Sequence, residues 1–172
     1  MQTIKITKAD LDENNYYKQD GIAYVGPGFY RNIEIDENLG LVKFREGVYV
    51  TGSIIAKAGS GITAGGGIKA GWSIKAGWGI EARRGIEAGS GITSLYSWVK
   101  AKQIISFNPN CTLSAGIFSR AGKREIEAQE IEGGEVIYGK VTLLPKEDKK
   151  SDDKTEEAIS ILKEKGYRII KE

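Results

Sequence analysis

The chain is predicted to be mainly β, wound as a single-stranded parallel β-helix (a β-solenoid), with a small β section before it and a helix after it. Three observations predict this. Residues 62–94 repeat Ile-x-Ala-Gly-x-Gly every six residues, with Ile62, Ile68, Ile74, Ile80, Ile86 and Ile92 in one column. Two residues on, Ala64, Ala70, Ala76, Ala82, Ala88 and Ser94 make a small column, and between them lie Thr63, Lys69, Lys75, Glu81, Glu87 and Thr93. Apolar, polar, small is a three-residue strand whose alternate side chains point to opposite faces. The three residues that follow are mostly Gly, read as corners where positive φ is cheap.

One repeat cannot bury its own Ile. That burial, worth roughly 1.5–3 kcal/mol per side chain, needs a coil above and below, so stacking must hold the fold together. A flexible linker has no reason to keep Ile at a strict interval. Six residues are about 600° on a helical wheel, which would scatter the isoleucines, and the Gly content opposes helix.

In chain order, residues 1–41 read as an N-terminal β section. Ile4 and Ile6 alternate with polar neighbours, residues 10–20 are turn-like around Tyr16 and Tyr17, and residues 21–36 hold short strands around Gly26-Pro27-Gly28. The solenoid is assigned to residues 42–120. Val42/Phe44, Val48/Val50 and Ile54/Ala56 already show the i, i+2 spacing, and Val99/Ala101 and Ile105/Phe107 continue it. Two residues are inserted between Ile54 and Ile62, and one between Ile92 and Val99. Residues 121–145 read as terminal strands, 146–155 as a charged linker, and 156–172 as a helix with a final strand. Ala158, Ile159 and Leu162 form the apolar stripe of that helix, which is too short to be stable undocked.

Three repeats per coil give an eighteen-residue, triangular turn, and two give a twelve-residue turn. Both offsets avoid stacking like charges. The larger coil leaves more room for Ile inside and is the expectation.

Composition bounds the chemistry. The net charge of +2 is no global signal for nucleic acid, and the lone Cys111 fits a reducing compartment. The opening residues lack an apolar h-region, and a cytoplasmic location is expected. The chain has no histidine, which removes Ser-His-Asp and Cys-His catalysis and His-ligated zinc. No phosphate-loop motif and no convincing acid/base pair occur. No enzyme activity, cofactor or metal is therefore expected.

The informative side chains sit at the corners. The fifth slot of the repeat reads Gly66, Trp72, Trp78, Arg84, Ser90 and Tyr96, and Arg83 precedes Arg84. Trp, Tyr and Arg are enriched at binding hot spots. Trp72, Trp78, Arg83, Arg84 and Tyr96 are the candidate partner-binding residues; the alternative is that the rings pack on the terminal sections. The expected partner is macromolecular, a protein ahead of a nucleic acid, with no membrane involved.

The six-residue periodicity is similar to that of left-handed β-helix acyltransferases and γ-class carbonic anhydrases. Those families use histidine, so neither activity carries over. The apolar–polar–small order more closely resembles bactofilins, whose right-handed β-helices polymerise end to end. Here both ends carry structured-looking sections that would block such growth, so a monomer or small oligomer is expected. Small Lys/Ile/Glu-rich chains of this kind also resemble accessory proteins of phages and mobile elements, including anti-CRISPR inhibitors. The resemblance implies a binding inhibitor, with a bactofilin-like scaffold and a polysaccharide-binding or polysaccharide-acting solenoid as alternatives.

Overall fold

The computed structural model describes residues 2–19, 31–118 and 124–146. The expected C-terminal helix and strand at 156–172 lie outside these residues, as does most of the charged linker at 146–155.

Among the described residues, eighteen strands form three parallel sheets that wrap one core in about five coils. The first sheet orders Gln2–Ile6 (β1), Arg31–Ile35 (β2), Ile54–Ala56 (β5), Ile74–Ala76 (β8), Ile92–Ser94 (β11), Thr112–Ala115 (β14) and Glu135–Tyr138 (β17). A second sheet contains Gly40–Phe44 (β3), Ser60–Ala64 (β6), Ile80–Ala82 (β9), Val99–Ala101 (β12), Glu125–Ala128 (β15) and Lys140–Leu143 (β18). The third contains Val48–Val50 (β4), Ile68–Ala70 (β7), Ile86–Ala88 (β10), Ile104–Phe107 (β13) and Glu130–Glu132 (β16).

The coil is three-sided. Ile62 pairs with Ile80, Ile68 with Ile86 and Ile74 with Ile92, each an offset of eighteen residues. This register stacks like on like: the inner column of the second sheet runs Val42, Ile62, Ile80, Val99, Ile126, Val141. All six isoleucines of the repeat are buried, at most 1% exposed, so their burial comes from the coils above and below. Outside, Lys69 meets Glu87 at 2.6 Å, the pair that the eighteen-residue offset brings together. Donating to that carboxylate holds the Lys69 pKa above its ordinary value.

The small column is small because the two inner residues of each strand share a narrow interior. Ala64, Ala70, Ala76 and Ala82 are each at most 2% exposed. Towards the ends the same column enlarges, to Ile35, Phe44 and Val50 on one side and Phe107 on the other.

The corner glycines have a different cause from the one expected. Among the described residues, the glycines with positive φ are Gly40, Gly59, Gly116, Gly133 and Gly139, none of them in the repeat, and Asn15 and Asn38 share that conformation. What the repeat requires is close approach between coils. A Cβ on Gly89 would lie 1.9 Å from the Gly71 carbonyl oxygen, and one on Gly71 would lie 2.2 Å from that of Thr51. Backbone replaces side chain at the corner, so successive coils can hydrogen-bond there: Gly71 N–H donates to Val50 O and Gly89 N–H to Ala70 O.

The parallel stack is longer than the interval 42–107 in which the spacing is visible. It takes in β1 and β2, where Ile4 faces Ile33 and Ile6 faces Ile35, and extends to β16, β17 and β18. The residues inserted before Ile62 lengthen β6, whose Ser60 is buried and hydrogen-bonded to the corner below through Asp36 O and the Leu39 N–H. No helix among the described residues is long and apolar enough to cross a membrane.

Candidate interaction surface

Three sheets meet at three edges, and the five candidate residues divide among all of them. Trp72 lies in the turn between β7 and β8, where its N–H donates to Gly52 O of the coil below. Its ring is 56% exposed and borders a shallow recess of about 210 Å³ beside Ile55. Arg83 and Arg84 lie between β9 and β10. Trp78 and Tyr96 lie on the remaining edge, between the first and second sheets, one coil apart. The five therefore do not make one patch.

Among the described residues, the edge carrying Trp78 and Tyr96 holds the largest aromatic group. Phe118, one coil further on, joins it: its N–H donates to Leu95 O, and its ring lies 5.7 Å from that of Tyr96, tilted by 47°. Trp78, Tyr96 and Phe118 are 42%, 51% and 59% exposed, on three successive coils. Each corner backbone is locked to the next coil, as where Trp78 N–H donates to Ser60 O and the Ser94 hydroxyl donates to Trp78 O. The rings thus project from a rigid backbone, and presenting them to a partner loses little further backbone entropy.

Trp98, on the same edge, plays a different part. A Cβ on Gly79 would fall 2.8 Å from its indole, so the ring lies on the bare backbone of Gly79. Lys100 Nζ is 5.9 Å from its centroid. Burial opposes the charge on Lys100, yet hydrogen bonds to Glu125 and Glu127, at 2.6 and 3.0 Å, hold its pKa above the ordinary value.

Arg83 belongs to a group that sequence spacing does not disclose. It borders an open recess of about 460 Å³ with Lys43, Arg45, Glu81 and the ring of Tyr16. Arg45 Cζ is 4.6 Å and Lys43 Nζ 5.4 Å from the Tyr16 centroid, and Arg45 also meets Asp12 at 3.5 Å. Arg84 borders a separate, smaller recess with Tyr49 and Gln103.

Phe118 and Trp98 escape a six-residue count because residues are inserted at both corners. Tyr16 escapes it because it lies outside the repeat. Comparison of the chain with protein-family models, with curated proteins and with solved structures finds no match.

Proposed function

We propose that this chain is a non-enzymatic binding protein that uses a rigid β-solenoid to present an aromatic edge to a protein partner. One observation carries the reading: Trp78, Tyr96 and Phe118 stand half-exposed on one edge of three successive coils, with two of the rings in contact. Aromatic side chains supply large contact area at low entropic cost and concentrate at interface hot spots. The absence of histidine and the regular pairing of outward carboxylates with lysines support a binding role over a catalytic one. The resemblance to mobile-element accessory proteins supports a narrower version, a cytoplasmic inhibitor of bacterial immunity of the anti-CRISPR kind.

The test compares tagged wild type with Trp78→Ala/Tyr96→Ala in capture from a bacterial host lysate, beside Trp72→Ala on another edge. The reading expects a partner retained by wild type and by Trp72→Ala but lost from the double variant, with all three folded. Equal retention by all three overturns the aromatic edge as the docking surface.

A second reading, a bactofilin-like scaffold, is favoured by the C-terminal end of the stack, where β16, β17 and β18 have no outer neighbour among the described residues. Filaments of purified protein in the electron microscope would establish it over the first.

A further inference from the structure

We propose that the recess between Arg45 and Arg83 is a binding site for a small phosphate monoester of nucleotide size. The site is built by stacking. Phe44, Ala64 and Ala82 lie in register on three successive coils. The corner residues that follow them, Arg45, Gly65 and Arg83, therefore form one column, on the edge between the second and third sheets. Gly65 N–H donates to Phe44 O and Arg83 N–H to Ala64 O, which locks that order. Gly65 has to be bare, since a Cβ there would lie 2.0 Å from Arg45 O. Two arginines thus stand two coils apart, roughly 10 Å, across a corner that carries no side chain.

The charge around this gap is not compensated. Elsewhere on the outer face lysine meets glutamate, as Lys69 meets Glu87 and Lys100 meets Glu127. In the outward column beside the gap the register runs Lys43, Thr63, Glu81, so Thr63 separates the two charges. Among the described residues neither Lys43 nor Arg83 has an ion-pair partner, and Arg45 reaches Asp12 only at 3.5 Å. Lys43 and Arg45 are instead held against the Tyr16 ring, which orders them before any ligand arrives. The Thr63 hydroxyl oxygen is buried without a hydrogen-bond partner, a condition that buried polar groups rarely tolerate. A ligand oxygen supplies that partner once the long Lys43 and Glu81 chains part around it. Cationic donors converging from separate coils suit a tetrahedral oxyanion, and arginine is the side chain best shaped for phosphate. The recess, about 460 Å³, leaves room for the body that carries the phosphate, with Glu81 to accept from its hydroxyl or N–H groups. Lys102 alone follows the arginines in their column, whereas a nucleic-acid strand is held by many phosphate contacts.

Titration of the full chain at low salt, followed through the amide chemical shifts of residues 43–45, 63–65 and 81–83, tests this. The probes are adenosine monophosphate, inorganic phosphate, adenosine and succinate. Adenosine monophosphate should shift these amides saturably, inorganic phosphate should shift the same ones more weakly, and the other two should not. Arg83→Gln should weaken the nucleotide by about tenfold or more, while Trp72→Ala, on another edge, should leave it unchanged. Thr63→Val should weaken it by roughly threefold and melt no earlier than wild type. Equal affinity in wild type and Arg83→Gln overturns the proposal, as does adenosine or succinate binding as well as the nucleotide. A single-stranded oligonucleotide that binds far more tightly than the mononucleotide also overturns it, because the surface would then belong to nucleic acid.

Discussion

The two ends of this solenoid are built differently. At the N-terminal end, residues 15–17 lie along the free edge of β3: Lys43 N–H donates to Asn15 O and Tyr17 N–H to Lys43 O. Tyr17 is buried with its ring 5.6 Å from that of Phe44, and Leu11 closes over the same coil. A 3₁₀ turn, Lys8–Asp10, holds the segment in place, with the Asp10 carboxylate accepting both the Thr7 N–H, at 2.8 Å, and the Thr7 hydroxyl, at 2.7 Å. At the other end the described chain stops on an uncovered coil. A repeat specifies stacking but contains no instruction to stop, so each end has to be closed by residues that break the pattern.

The sharpest contrast lies within one core column. Ile80 and Val141 both belong to the inner column of the second sheet, Ile80 fully buried in mid-stack and Val141 42% exposed at its end. Ile80→Asp places an unpaired charge in the core and should cost more than about 4 kcal/mol, abolishing the cooperative unfolding transition. Val141→Asp should leave the coils folded, with a loss below about 1 kcal/mol by urea denaturation. Equal losses would mean that the two positions are equally covered.

Next in size is the N-terminal closure. Tyr17→Ala removes a buried ring and leaves a cavity against Phe44, an expected loss of about 3 kcal/mol. Its counterpart Leu143→Ala takes away a side chain already 63% exposed and should cost under about 1 kcal/mol in the same measurement. A Tyr17→Ala protein as stable as wild type would show that the first coil does not need its cover.

Acid should act on the same asymmetry. The Thr7 backbone N–H, then its hydroxyl, hold the Asp10 pKa below the ordinary 3.8. A lowered carboxylate pKa contributes stability that is fully present above the unfolded value and is lost as pH falls through the folded one. As pH falls below the ordinary 3.8 the amides of residues 7–18 should therefore lose protection, and Asp10→Asn should remove that dependence. The C-terminal contact between Lys146 and Glu130 weakens in the same direction, since Lys146 lowers the Glu130 pKa, but it is an exposed pair and contributes little.

Much of the interior was legible in the sequence, because Ile at a fixed interval has one physical meaning when its neighbours alternate. Interior volume favours the eighteen-residue coil, and the register of Ile62 with Ile80 has that offset. The reason for the corner glycines was not legible: positive φ and close backbone approach both select Gly, and only the stacked coils distinguish them. The edges were legible in part. Trp78 and Tyr96 share one as the eighteen-residue offset requires, whereas Trp98 and Phe118 were hidden by insertions. The recess at Tyr16, Lys43 and Arg83 joins residues with no common period, so no spacing argument reaches it.

The smallest expected effect concerns the aromatic edge, which lies between the two ends and belongs to neither. Trp78 is exposed, and its backbone bonds to Ser60 O and from the Ser94 hydroxyl do not depend on the indole. Trp78→Ala should thus shift stability by at most about 1 kcal/mol, and Tyr96→Ala by a similar amount. Trp98→Ala makes the control on the same edge, because its ring covers Gly79 and its loss should leave a void costing about 2 kcal/mol or more. Thermal unfolding of the three variants ranks them directly. If Trp78→Ala melts as early as Trp98→Ala, the exposed ring is packing in solution, and the edge is part of the closure of the stack. If Trp78→Ala melts with wild type while losing partner capture, stability resides in the columns and their covers, and the edge is left free for recognition.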